Sequence, residues 1–125
     1  MTSAERSLPH WLTVSTGPAP AVVDGRECRT RAAFFTEVAR ALRFPAYFGR
    51  NWDALTDSLR DATQAGNVAL VVANADELLI DEPPEQFATL LAVLADAADA
   101  GLTLTLCTDP AHEPDLRHRV ASALP

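Results

Sequence analysis

The chain has 125 residues, 48% of them apolar, and carries a net charge of −7 with no lysine. That length and apolar content suffice for one domain with its own core and exclude a wholly disordered chain. No apolar run is longer than the six residues of Val68–Ala73, which excludes a membrane-spanning helix, and the acidic balance argues against nucleic acid as a partner.

Residues 1–10 show no periodic pattern, and residues 1–6 lack the basic-then-apolar order of a signal peptide, so a soluble, cytoplasmic protein is expected. Residues 11–16 alternate weakly and suit an extra edge strand, which Gly17, Pro18 and Pro20 end. Residues 21–23 read as a short buried strand, and Asp24-Gly25 as a turn. Thr30 can cap a helix through about Arg43 whose apolar face is Phe34, Phe35, Val38 and Leu42.

Pro45 and Gly49 then mark a turn, and Asn51 is a good N-cap. The helix it opens is expected from Trp52 to about Ala62, with Trp52, Leu55 and Leu59 toward the core. Gly66-Asn67 ends that region, and Val68–Ala73 reads as a strand buried on both faces. Residues 76–80 suit a short helical turn. Pro83-Pro84 opens another helix with Phe87, Leu90, Leu91, Leu94 and Ala98 as its stripe and Gly101 as its C′ residue. Leu102–Cys107 is the last strand, and residues 115–124 form a short terminal helix after Pro110 and Pro114.

Strands separated by helices imply an α/β fold with a parallel sheet and right-handed crossovers. One domain is expected over residues 1–125: a core over about 20–108, an N-terminal extension (1–19) and a C-terminal tail (109–125). Cys28 and Cys107 read as free thiols rather than a disulfide framework.

The charge is unevenly spread. Residues 1–50 hold seven Arg against four acids, while residues 51–109 hold Arg60 alone against eleven acids. Such a flank attracts basic proteins and raises association rates. Within it Asp53, Asp57 and Asp61 recur every four residues and share a helix face. Asp53 gains from the helix dipole. Asp57 and Asp61 repel each other at a cost of roughly 0.2–0.5 kcal/mol.

The pattern Pro45-x-Tyr47-Phe48-Gly49-x-Asn51-x-Asp53-Ala54-Leu55-x-Asp57-x-Leu59 resembles the centre of the barstar family, intracellular inhibitors of the secreted ribonuclease barnase. Residues 21–25 look like that family's first strand and turn, and residues 90–106 like its last helix and strand, so the likeness covers about 21–107. It implies three parallel strands in the order 1-2-3 packed with helices.

The resemblance also implies a function: a loop and capped helix that plug a basic guanyl-specific ribonuclease, the acids mimicking RNA phosphates. By matching position, Asp57 enters the phosphate site, Asp53 is the second acid, and Tyr47 stacks on a catalytic histidine. Gly49 and Asn51 supply loop contacts, Thr56 replaces a bulky aromatic, and Asp96 replaces a glutamate of the later helix. Trp52 reads first as a packing residue, with a place at the interface rim as the alternative. Arg50 stands where the family has an acid. Asp61 is expected to be a merely solvated acid. The implied complex is one-to-one, with a free protein that is monomeric and needs no cofactor.

Three other readings compete. The partner of the same scaffold is a different nuclease toxin, making the chain an immunity protein. Alternatively Asp53 and Asp57 bind Mg²⁺ or act as an acid–base pair in a small hydrolase, although no His, Lys or phosphate-binding loop accompanies them. Lastly, His112, Glu113, Asp115 and His118 have loose metal-ligand spacing, and a solvated tail is the better reading of them.

Overall fold

The structure is a computed structural model that describes residues 8–17 and 23–125. Its strands are β1 (Leu12–Ser15), β2 (Val23–Asp24), β3 (Val68–Ala73) and β4 (Leu102–Cys107). They form one parallel sheet in the order β1-β4-β3-β2. The three strands expected from the resemblance therefore lie in the expected order. The N-terminal strand is present too, added at the β4 edge. Of the strand expected at 21–23, Ala21 and Val22 lie outside the described residues, and Val23 begins β2.

The sheet is one-sided, which corrects the expectation for β3. Leu12, Leu104 and Leu70 stand in register, as do Val14, Leu106, Val72 and Val23, and all are buried. The alternate residues Thr13, Ala69 and Thr103 are exposed. Side chains alternate between faces along a strand, so the helices cover only the leucine and valine face. Most parallel sheets are covered on both sides. Here the open face carries mainly small or β-branched residues, which keep strand propensity without needing a cover.

Among the described residues four helices supply that cover: α1 (Arg31–Leu42), α2 (Trp52–Ala65), α3 (Pro84–Ala98) and α4 (Glu113–Ala123). Thr30 caps α1 by accepting the N–H of Ala33. Phe34, Phe35 and Val38 are the buried stripe of α1, and Phe87, Leu90, Leu91, Leu94 and Ala97 that of α3. Leu55, Leu59 and Thr63 are buried on α2. That helix runs three residues past its expected end, because Thr63 continues the core stripe with its hydroxyl donating to the Leu59 and Arg60 carbonyls at 2.8 and 3.1 Å.

Two short 3-10 turns, Gly25–Glu27 and Ala75–Glu77, follow β2 and β3. The segment after the second turn is laced to the residues before α1. Leu79 N–H donates to Cys28 O at 2.8 Å, and Asp81 N–H to Arg29 O at 3.0 Å. The Arg29 guanidinium holds Asp81 and Glu77, and Arg31 pairs with Glu82. This lacing fixes where α3 begins, with Pro84 in its first turn.

Residues 109–125 fold onto the core. Leu116 and Val120 of α4 are buried, and Arg117 donates to Val14 O at 3.3 Å while pairing with Glu113. Thus β1 and α4 form one joint addition beside β4. Arg119 lies 3.9 Å over the Phe87 ring, whose face compensates a buried Nη1 that has no hydrogen-bond partner among the described residues. Cys28 and Cys107 are free, and burial pushes the Cys28 thiol up to about 12, so it stays protonated at neutral pH. No helix among the described residues is long and apolar enough to cross a membrane.

Candidate protein-binding site

The segment between α1 and α2 is set by backbone and aromatic anchors. Arg43, at φ 58°, ends α1 in the left-handed region, and Phe44 N–H returns to Ala39 O at 2.9 Å. A turn follows, closed by Phe48 N–H to Pro45 O at 3.0 Å. Phe44 and Phe48 rings lie 5.0 Å apart, Phe48 meets Phe35 at 6.2 Å, and Phe35 meets Trp52 at 4.8 Å. Each such pair contributes about 0.5–1.5 kcal/mol beyond its burial. With the rings on either side tied down, Tyr47 is left standing 87% exposed.

Asn51 closes the loop on both sides. Its Oδ1 accepts the Ala54 N–H at 2.7 Å, the expected N-cap, and its Nδ2 donates to Gly49 O at 3.3 Å. A Cβ on Gly49 would stand 3.3 Å from the Ala54 Cβ, so the close approach of loop and helix favours glycine there. Arg50, between them, is exposed and held at φ 54°. A non-glycine residue in that region stores strain of about 1–3 kcal/mol.

The acids of α2 are exposed. Asp57 pairs with Arg60 at 3.3 Å, both side chains being well over half exposed, so the bond is exchangeable with solvent or with a partner. Asp53 and Asp61 have no ion-pair partner among the described residues.

Trp52 and Thr56 are turned inward instead. Trp52 is half-buried against Phe34 and Phe35, and its indole N–H donates to Gln86 of α3 at 2.9 Å. The Thr56 hydroxyl donates to Trp52 O at 3.0 Å. Both position the helix rather than present a free group. Gln86 was missed from sequence, since nothing local marks it.

Tyr47, Gly49, Asn51, Asp53 and Asp57 are thus gathered on one loop–helix unit. Asp96 is exposed on α3, ten residues beyond Gln86, or about 15 Å along the helix. It lies toward the C-terminal end, far from the Trp52 contact. Of the residues considered as metal ligands, His112 contacts Asp109 at 2.8 Å and Glu113 holds Arg117, and no group of three potential ligands converges among the described residues.

The unit presents an exposed aromatic, a capped helix start and exposed carboxylates, of which Asp57 is paired with Arg60. The family model of barstar, the barnase inhibitor, matches residues 19–109, well over half of the chain. The chain belongs to the barstar family. Its members are inhibitors that bind ribonucleases, and the matched region includes the whole loop–helix unit. No curated protein matches the chain. β1 and α4 lie outside the matched barstar region and are additions to it.

Proposed function

We propose that the chain is an intracellular inhibitor of a basic guanyl-specific ribonuclease, which it binds one-to-one at the active site. The reading is carried by one observation: Asp53 and Asp57 stand exposed on a capped helix whose preceding loop holds Tyr47 outward on an aromatic footing. A ribonuclease must gather cations to stabilise a phosphoryl transition state. A carboxylate fixed on a helix can neutralise those cations without offering a bond to cleave. Because the loop is ordered before binding, little conformational entropy is lost on association. Inhibition is then competitive, with no cofactor and no covalent step.

Calorimetric titration into a panel of microbial guanyl-specific ribonucleases tests this, with Asp57→Ala in parallel. Tight one-to-one binding that the variant loses is the expected result. Absence of binding across the panel would refute the guanyl-specific target.

Arg50 favours a second reading, an immunity protein against a different nuclease toxin. Its exposed guanidinium stands beside the acidic helix and suits a partner that offers a carboxylate there. Arg50→Glu separates the two: it strengthens binding to a uniformly basic ribonuclease and weakens binding to a toxin with an acid at that place.

A further inference from the structure

The three acids of α2 do not share one flank. At about 100° per residue, Asp53 and Asp61 diverge by about 80° around the helix, with Asp57 between them. Asp57 and Asp61 consequently line a groove of about 420 Å³ that Asp53 does not reach. The groove runs between α2 and the loop, and Phe44, Tyr47 and Phe48 form its aromatic side. Arg60 is absent from its lining, and its bond to the Asp57 carboxylate is solvent-exposed and exchangeable. Arg43 stands on the wall and pairs with neither acid. The lining carries two carboxylates against one guanidinium, so the groove is negative wherever the exposed Asp57–Arg60 bond opens.

Resting on the inhibitor reading of α2, we propose that this groove seats an arginine side chain of the partner, with Asp61 as its second carboxylate beside Asp57. Residues four apart on a helix carry Cβ atoms about 5–6 Å apart. The planar five-donor fork of a guanidinium can bridge two carboxylates at that spacing, whereas an ammonium serves them as a compact point charge. The apolar stem of arginine suits Phe44 and Phe48, and the cation suits the face of the exposed Tyr47 ring. Binding also relieves the repulsion between Asp57 and Asp61. Asp61 thereby selects among basic partners, preferring one whose cation is an arginine at this position.

A hexa-arginine peptide is the probe, titrated against the full chain and followed by the NMR shifts of the Asp carboxylate carbons and the Tyr47 ring. Saturable shifts are expected at Tyr47, Asp57 and Asp61, with hexa-lysine binding more weakly. Asp61→Asn weakens the peptide about fivefold, near the upper end for an exposed charge pair. Arg43→Asn, which keeps a residue tolerant of the left-handed region, strengthens it. Asp99→Asn, on the turn after α3, leaves it unchanged. Equal shifts at Asp96 and Asp99, or indifference to Asp61→Asn, would overturn the arginine site. A groove footprint without any ribonuclease binding defeats the inhibitor reading alone. Ribonuclease binding indifferent to Asp61→Asn defeats the arginine site alone.

Discussion

The indole N–H of Trp52 donates to Oε1 of Gln86 at 2.9 Å, joining the first turns of α2 and α3. At their other ends, Val68 N–H reaches Gly101 O at 3.3 Å, so the two helices run side by side in the same direction. The bond therefore sets the angle at which Asp53, the next residue, is presented. Gln86→Leu strands a half-buried donor, and the expected loss is about 1 kcal/mol of folding stability. Urea unfolding of the variant measures it, and an unchanged midpoint would mean the bond is not formed in solution.

Gly25 sits where β2 ends against β3. A Cβ there would run into the Asn74 carbonyl, and both partners are backbone, which cannot swing aside. Gly25→Ala is expected to destabilise the protein by about 1–3 kcal/mol, the range for forced overpacking. Gly17→Ala is the control, because its nearest neighbour is a side-chain oxygen at 3.8 Å. Thermal melts of the pair should separate them clearly.

What could be read in advance was local. The Asn51 cap and the start of α2 at Trp52 follow from residue types a few positions apart, and both stand where expected. The end of α2 was missed because the stripe was counted in apolar residues, and Thr63 is a buried polar one. For β3 the apolar run hides which face is covered. The informative signal lay in β4, where Leu-Thr-Leu-Thr-Leu alternates and marks a one-sided sheet. Gly101 was expected as the C′ residue and stands one place later, two residues past the Asp99 cap, where it turns the chain at φ 117°. The groove at Asp61 depends on α1 and α2 meeting across the loop, a long-range fact that spacing along one helix cannot reveal.

The His112–Asp109 pair makes a pH signature. A hydrogen bond from the imidazole to the Asp109 carboxylate raises the His112 pKa, and the same bond lowers that of Asp109. A raised histidine value stabilises the fold fully below about pH 6.5, its ordinary value, and the contribution fades as pH rises through the raised one. The lowered carboxylate acts the other way, contributing above the ordinary carboxylate range and failing as pH falls through its depressed value. The pair therefore helps most in the mildly acidic window between. An NMR titration of His112 is expected to show a midpoint that drops in Asp109→Asn. An identical midpoint in both would remove the pair from solution.

Association with a basic nuclease should be steered by charge. Residues 51–109 carry eleven acids against a single Arg. The Debye length shrinks from about 30 Å at 0.01 M salt to about 8 Å at 0.15 M, so distant acids stop acting on the incoming partner. Stopped-flow measurement is expected to give an association rate that falls about tenfold or more across that range, with dissociation changing far less. A flat rate would show that contact, not field, selects the partner.

The sharpest comparison is between Asp57 and its neighbours on the same helix. Asp57 stands between the flank of Asp53 and the groove of Asp61, so a nuclease bound as proposed would enclose it from both sides. Truncating such a desolvated charge costs about 2–5 kcal/mol, much of it from the partner's stranded cations. Asp57→Ala should reach that range, whereas Asp61→Ala should lose under about 1 kcal/mol, as rim charges do. A double-mutant cycle of the two then reports their shared cation. Sites four residues apart that bind one guanidinium couple, while sites serving separate cations add. Calorimetry showing equal single losses would move the centre of the interface along α2, and strict additivity would assign the two acids to different partner residues.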